Sequence, residues 1–136
     1  MTVIIDDDKD YTDQSKSFPD DRVKSNYILQ QEWLQKVPTP IFYKDVSGRY
    51  LGCNRAFEEF MNIERNNIIG KTVHEVWPEK YASIYKDKDI ELMEHGGSQT
   101  YEFQVQTLKG EVKDVIFYKS TFQDSDGKVG GLIGSI

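Results

Sequence analysis

Three stretches of strand character close the sequence, each cut from the next by a glycine turn. Tyr101, Phe103 and Val105 alternate with Thr100, Glu102, Gln104 and Gln106, the period of two that marks a strand with one buried face. Lys109-Gly110 breaks the pattern. Val112 to Phe122 then predicts a long strand and Asp124-Ser125-Asp126-Gly127 a second turn. Residues 129–136 predict a last strand, whose three glycines mark a bulge or a close backbone approach. Strands joined by such short turns are expected to pair as an antiparallel meander.

Upstream, Ile41-Phe42-Tyr43 and Tyr50-Leu51-Gly52-Cys53 flank Asp45-Val46-Ser47-Gly48-Arg49 and predict a hairpin. Asn54 is placed to cap a helix whose apolar face is Phe57, Phe60 and Met61. Ile63, Ile68 and Ile69 anchor an irregular segment ended by Gly70. Thr72-Val73-His74-Glu75 has the spacing of a capping box. After Pro78, a helix with Tyr81, Ile84, Tyr85 and Leu92 on its buried stripe runs to Gly96-Gly97. The expected class is α+β: five antiparallel strands with short helices on one face.

Before the hairpin, Asp20 or Asp21 can cap a further helix that Pro38 and Pro40 end. Val23, Tyr27, Leu29, Trp33, Leu34 and Val37 share one broad stripe on it. That stripe is wide enough for two surfaces, so Tyr27, Leu29, Trp33 and Leu34 are candidates for a dimer interface. Residues 1–20, with Asp6-Asp7-Asp8-Lys9-Asp10, have no periodicity and are expected to be a leader or linker. The organisation expected is therefore a leader over 1–20, an amphipathic helix over 21–38 and a core over 39–136.

A net charge of -6 over 136 residues argues against a nucleic-acid surface. No apolar run approaches a membrane span and no signal peptide opens the chain, so a cytoplasmic location is expected. The single Cys excludes an intrachain disulfide framework. The two His and one Cys lie scattered, without metal-ligand spacing.

The hairpin turn, the Asn54-Arg55-Ala56-Phe57 helix start, the Ile69-Gly70-Lys71-Thr72 break and the Asp126-Gly127-Lys128-Val129-Gly130-Gly131 close come in the order of a PAS domain. Residues 40–136 resemble that family of bacterial sensor modules. The resemblance implies the sheet order, a flanking N-terminal helix and a cavity between the helices and the inner sheet face. Aligned with light-oxygen-voltage members, Gly70 to Val76 places Val73 where a flavin-reactive Cys belongs, and valine offers no thiolate. Cys53 lies outside that motif and is expected to be a small buried hydrophobe. Aligned with haem-binding members on Pro78-Glu79, the ligand position falls near Tyr85. His95 beside Gly96-Gly97 fits a cation at a helix C-terminus, and His74 a partly packed surface residue. Neither a covalent flavin nor haem is expected.

What remains is an aromatic interior. Trp77, Tyr81, Tyr85, Tyr101, Phe103 and Phe117 are the candidates for a ligand-pocket wall, or they simply fill the core. An enzyme would need a buried acid–base pair, and the strand segments suggest none. The chain stops where family members continue into an output helix, and it carries no kinase phosphate loop and no Gly-Gly-Asp/Glu-Glu-Phe string. The expectation is a non-catalytic sensory fragment of a histidine kinase of a two-component system or of a diguanylate cyclase, homodimeric and either ligand-binding or a docking module with a filled core.

Overall fold

The computed structural model describes residues 21–136, with side chains from Leu29 onward. The elements run α1 (Asp21–Lys36), β1 (Ile41–Asp45), β2 (Tyr50–Cys53), α2 (Arg55–Met61), a 3-10 turn (Arg65–Asn67), α3 (Val73–Val76), α4 (Glu79–His95), β3 (Ser98–Gln106), β4 (Val112–Gln123) and β5 (Val129–Ser135). The expected leader and the Asp20 cap lie outside the described residues, as do the side chains of Val23 and Tyr27. The five strands form one antiparallel sheet in the order β2-β1-β5-β4-β3.

The local signals act where the sequence puts them. Asn54 is fully buried and caps α2 by accepting from the Phe57 N–H at 3.0 Å. It also accepts from Ile41 N–H at 2.9 Å and donates to the Val37 and Thr39 carbonyls at 3.2 and 2.9 Å. One side chain thereby ties the α1–β1 connection to the start of α2. Glu75 closes the capping box on the Thr72 N–H at 3.0 Å. Gly96 ends α4 at φ 71°, a left-handed value that costs glycine nothing.

Register decides what faces inward. Phe42 pairs with Gly134, which pairs with Lys119, so the three form one inner row across the sheet. Gly134 leaves room for the Phe42 ring, which a methyl group there would overlap. A bulge between β1 and β2 pairs Lys44 with Tyr50 rather than with Leu51. Strict alternation would turn Tyr50 outward; the bulge turns it in, against Lys44.

On α4 the buried face is Tyr81, Ala82, Tyr85, Asp89 and Leu92. Ile84, expected on that stripe, is exposed instead. At 100° per residue it sits on the flank of the arc spanned by Tyr81 and Ala82, while Asp89 falls inside it.

Candidate functional site

The inner face of the sheet carries charge. Lys44 of β1, Asp89 of α4 and Lys119 of β4 are 2%, 7% and 3% exposed. Asp89 bridges the two lysines: Oδ2 accepts from Lys44 Nζ at 2.6 Å and Oδ1 from Lys119 Nζ at 2.7 Å. Lys119 Nζ also donates to the Tyr101 hydroxyl at 2.8 Å. Lys44 Nζ lies 4.8 Å from the centre of the Tyr50 ring and 5.4 Å from that of Phe42. Lys119 Nζ lies 4.8 Å from the Tyr101 ring and 5.2 Å from Phe117. These rings offer their negative faces to the ammoniums.

Two ammoniums share one carboxylate, and the proton affinities follow. Burial disfavours ionised Asp89, but Lys44 and Lys119 outweigh it and hold the carboxyl below its usual value. For Lys119, burial wins over the pull of Asp89, and Lys44 adds repulsion, so its pKa falls to about 8. For Lys44, burial is outweighed by Tyr50 and Asp89 and the ammonium is held. The expectation that no acid–base pair is buried on the strands is thus corrected: two strand lysines meet a helix aspartate. Lysine and aspartate are rarely buried at all unless paired, so composition gave no sign of them.

The cluster borders an interior cavity of about 20 Å³, room for a water molecule. Of the six aromatic candidates, Trp77, Tyr85 and Phe117 line it, with Phe42, Tyr50 and Phe57 as further walls. Trp77 Nε1 donates to the Tyr50 hydroxyl at 2.9 Å and Tyr85 donates to the Gln104 carbonyl at 2.8 Å. Tyr101 stacks on Phe117 with ring centres 4.9 Å apart and reaches the cavity only through Lys119. Phe103 packs between Tyr81 and Tyr85, at 6.0 and 5.9 Å, away from the cavity. Asp89 also borders an outer groove of about 440 Å³, with Ser47, Thr72, His74 and Lys86.

Cys53 is buried, and burial pushes its thiol up to about 12, so it is no nucleophile. Val73 is buried at the start of α3. His74 meets Glu79 at 2.8 Å and His95 the Glu91 carbonyl at 2.9 Å, both exposed. Among the described residues no group of three His, Cys, Asp or Glu is placed to hold a metal ion, and no helix is long and apolar enough to cross a membrane.

On α1, Leu29 is 63% and Trp33 60% exposed, while Leu34 is half-buried. The outer sheet face adds exposed Ile116 and Tyr118.

A family profile for the PAS fold matches residues 34–136. The chain belongs to the PAS family. It is 31% identical over 87 residues to the uncharacterized protein y4lL of Sinorhizobium fredii, covering 64% of this chain and 10% of that one. It is 26% identical over 100 residues to the virulence sensor protein BvgS of Bordetella pertussis, covering 71% of this chain and 8% of BvgS. The chain therefore spans a tenth or less of the length of these curated relatives. The solved PAS domain of Bordetella pertussis BvgS matches with TM-score 0.67 and 21% identity over 82% of this chain and 84% of that one. VqmA bound to DPO matches with TM-score 0.70 and 24% identity over 79% of this chain and 55% of that one. These structures share the fold; the Lys44–Asp89–Lys119 cluster is read from this chain's own geometry.

Proposed function

We propose that this PAS domain is the sensory segment of a bacterial signal-transduction protein. A small molecule held between α4 and the inner sheet face sets the strain between β1 and β4, and a dimer passes that state to an output domain. The observation that carries this reading is the Lys44–Asp89–Lys119 cluster beside the cavity. Burying an unbalanced charge is costly, apolar residues of like volume would pack the core as well, and perturbed ionisable groups around a cavity mark functional sites. A PAS domain in a virulence sensor and a VqmA bound to DPO support ligand sensing or signal relay on this fold. The kinase or cyclase type of output, a cytoplasmic location and the regulatory, non-catalytic role belong to the same proposal. So does the absence of flavin and haem, since Val73 offers no thiolate and the Tyr85 hydroxyl is engaged at Gln104.

The test is a metabolite screen read by melting temperature, with native mass spectrometry and an absorption spectrum of the purified chain. A bound ligand stabilises the fold by mass action. The expected result is a colourless protein stabilised by at least one compound whose effect Lys119→Met abolishes. Flavin or Soret bands would overturn the cofactor part, and a screen without any stabiliser would overturn sensing.

A second reading is favoured by the small cavity and the apolar outer surface: a dimerisation or docking module without ligand. A Vibrio cholerae relative, VqmA, is described as a dimer. In this chain Leu29, Trp33, Ile116 and Tyr118 would form a two-fold contact. Dimerisation with no stabilising compound would select this reading.

A further inference from the structure

The donor count at the cluster is unbalanced. Each lysine ammonium carries three N–H donors and no acceptor. Lys44 spends one on Asp89 Oδ2; Lys119 spends one on Asp89 Oδ1 and one on Tyr101. The remaining donors are buried with ring faces beside them and no oxygen acceptor among the described residues, and Lys44 and Lys119 both line the cavity. Buried donors are ordinarily satisfied. The charge is unbalanced in the same sense, with two cations against one carboxylate. A neutral acceptor such as water would answer the donors but not the charge; an anion answers both. The cavity's further walls include the rings of Phe57, Trp77 and Tyr85, which suit an apolar group and not a hydrated one.

We propose that the cavity takes a small carboxylate, its oxygens received by the Lys44 and Lys119 ammoniums and its apolar part by the surrounding rings. This gives a chemical class to the ligand of the sensory reading above, and rests on that reading. The cavity as it stands holds one water, so entry of the ligand widens it. Met61 on its wall is unbranched and adapts its shape at low cost. The carboxylate makes charge-assisted hydrogen bonds, shorter and stronger than those a neutral group would make at the same donors.

Binding carries a proton signature. Lys119 is faced by Asp89 and Lys88 from α4, by Lys44 from β1 and by Tyr101 from β3. Its pKa is about 8 in the free protein, so near that pH about half the molecules hold it neutral. A carboxylate beside it favours the charged form, and each binding event draws in a proton fraction.

The experiment titrates the full chain with acetate and benzoate and with their uncharged amides, acetamide and benzamide. It is run at pH 8 by calorimetry in two chloride-free amine buffers of different ionisation enthalpy. The carboxylates are expected to bind about tenfold or more tighter than the amides. They should take up about half a proton per ligand. Lys119→Met is expected to abolish both the preference and the proton uptake. If that variant fails to fold, the preference of the unaltered chain for carboxylates over their amides decides alone. Amides binding as well as carboxylates would overturn the carboxylate assignment while leaving sensing intact. Chloride alone producing the same effect would reduce the site to a counter-ion and overturn it too. Binding by none of the four rejects the carboxylate class, and sensing is then judged separately by the metabolite screen.

Discussion

The two faces of the sheet each carry an exception to the usual arrangement. The inner face, under α4, buries two lysines and an aspartate; the outer face leaves Ile116 and the half-exposed Tyr118 in solvent, as α1 does Leu29 and Trp33. Exposed single apolar residues are ordinary, but buried charges are not. The inner face therefore carries the stronger functional signal and the outer face the weaker one. They also differ in what a substitution should do. Inside, changing one charge alters an electrostatic balance within the fold. Outside, changing one apolar residue alters only association.

The comparison breaks most visibly at Asp89. Asp89→Asn leaves two buried ammoniums without a counter-charge, and removal of one partner from a buried ionic group costs about 3–5 kcal/mol. Urea denaturation should show a loss of that size. A loss below about 1 kcal/mol would mean that solvent reaches the lysines and that the inner face is not dry.

Lys119→Met tests the same cluster from the other side. It leaves Lys44 and Asp89 as a balanced pair and should be neutral or stabilising, by about 1–3 kcal/mol near pH 7. The pH profile sharpens the point. Lys119 titrates near 8 when folded and near its ordinary lysine value when unfolded. Above about 8 the unfolded chain binds more protons at this lysine, so stability should rise with pH from about 8 to about 9, where the buried Cys53 thiol, pushed up to about 12, begins to oppose it. Tyr101 and Tyr85 are shifted upward by burial, so their opposite effect begins only above the ordinary tyrosine range. In Lys119→Met the rise should vanish. A wild-type profile that falls from pH 8 would show that Lys119 is not the yielding cation.

The outer framework was far more legible in the sequence than the site. Strand alternation at Tyr101, Phe103 and Val105, the Asn54 cap and the Thr72–Glu75 box are local codes, and each acts where it was read. The cluster is assembled from residues 44, 89 and 119, far apart in sequence, and depends on register across the sheet. Two signals did exist. Asp89 falls on the buried arc of α4, and Phe117 and Lys119 share a strand face. Both were hidden because a charged residue on an apolar stripe reads as an edge, and the slot on the arc passed to Ile84. The cavity wall was half legible: Trp77, Tyr85 and Phe117 reach it, while Tyr81, Tyr101 and Phe103 pack behind it.

Tyr85 separates wall from core at smaller amplitude. Its hydroxyl donates to the Gln104 carbonyl, and the ring packs edge-on against Phe103 and Phe117. Tyr85→Phe keeps the ring and removes one hydrogen bond, so thermal melts should register about 1 kcal/mol of destabilisation. Binding of a cavity ligand should change little, because the hydroxyl is already engaged elsewhere. A large loss of ligand stabilisation in this variant would move the binding group from the lysines to Tyr85.

The smallest effect on the fold is expected on the outer side, at Trp33. Its side chain is 60% exposed in the single chain, so Trp33→Ala should change the stability of a monomer by no more than about 0.5 kcal/mol. Its effect should instead appear in association. A two-fold contact sets each residue against the matching patch of the partner, so one substitution acts twice per dimer. Exposed aromatic residues are also the side chains that most often dominate an interface. Light scattering across a concentration series should find the unaltered chain dimeric and Trp33→Ala shifted toward monomer, with unfolding of the isolated monomer unchanged. If the unaltered chain is monomeric at every concentration, the outer face is an ordinary solvated surface. The difference between the two faces then reduces to the inner cluster alone.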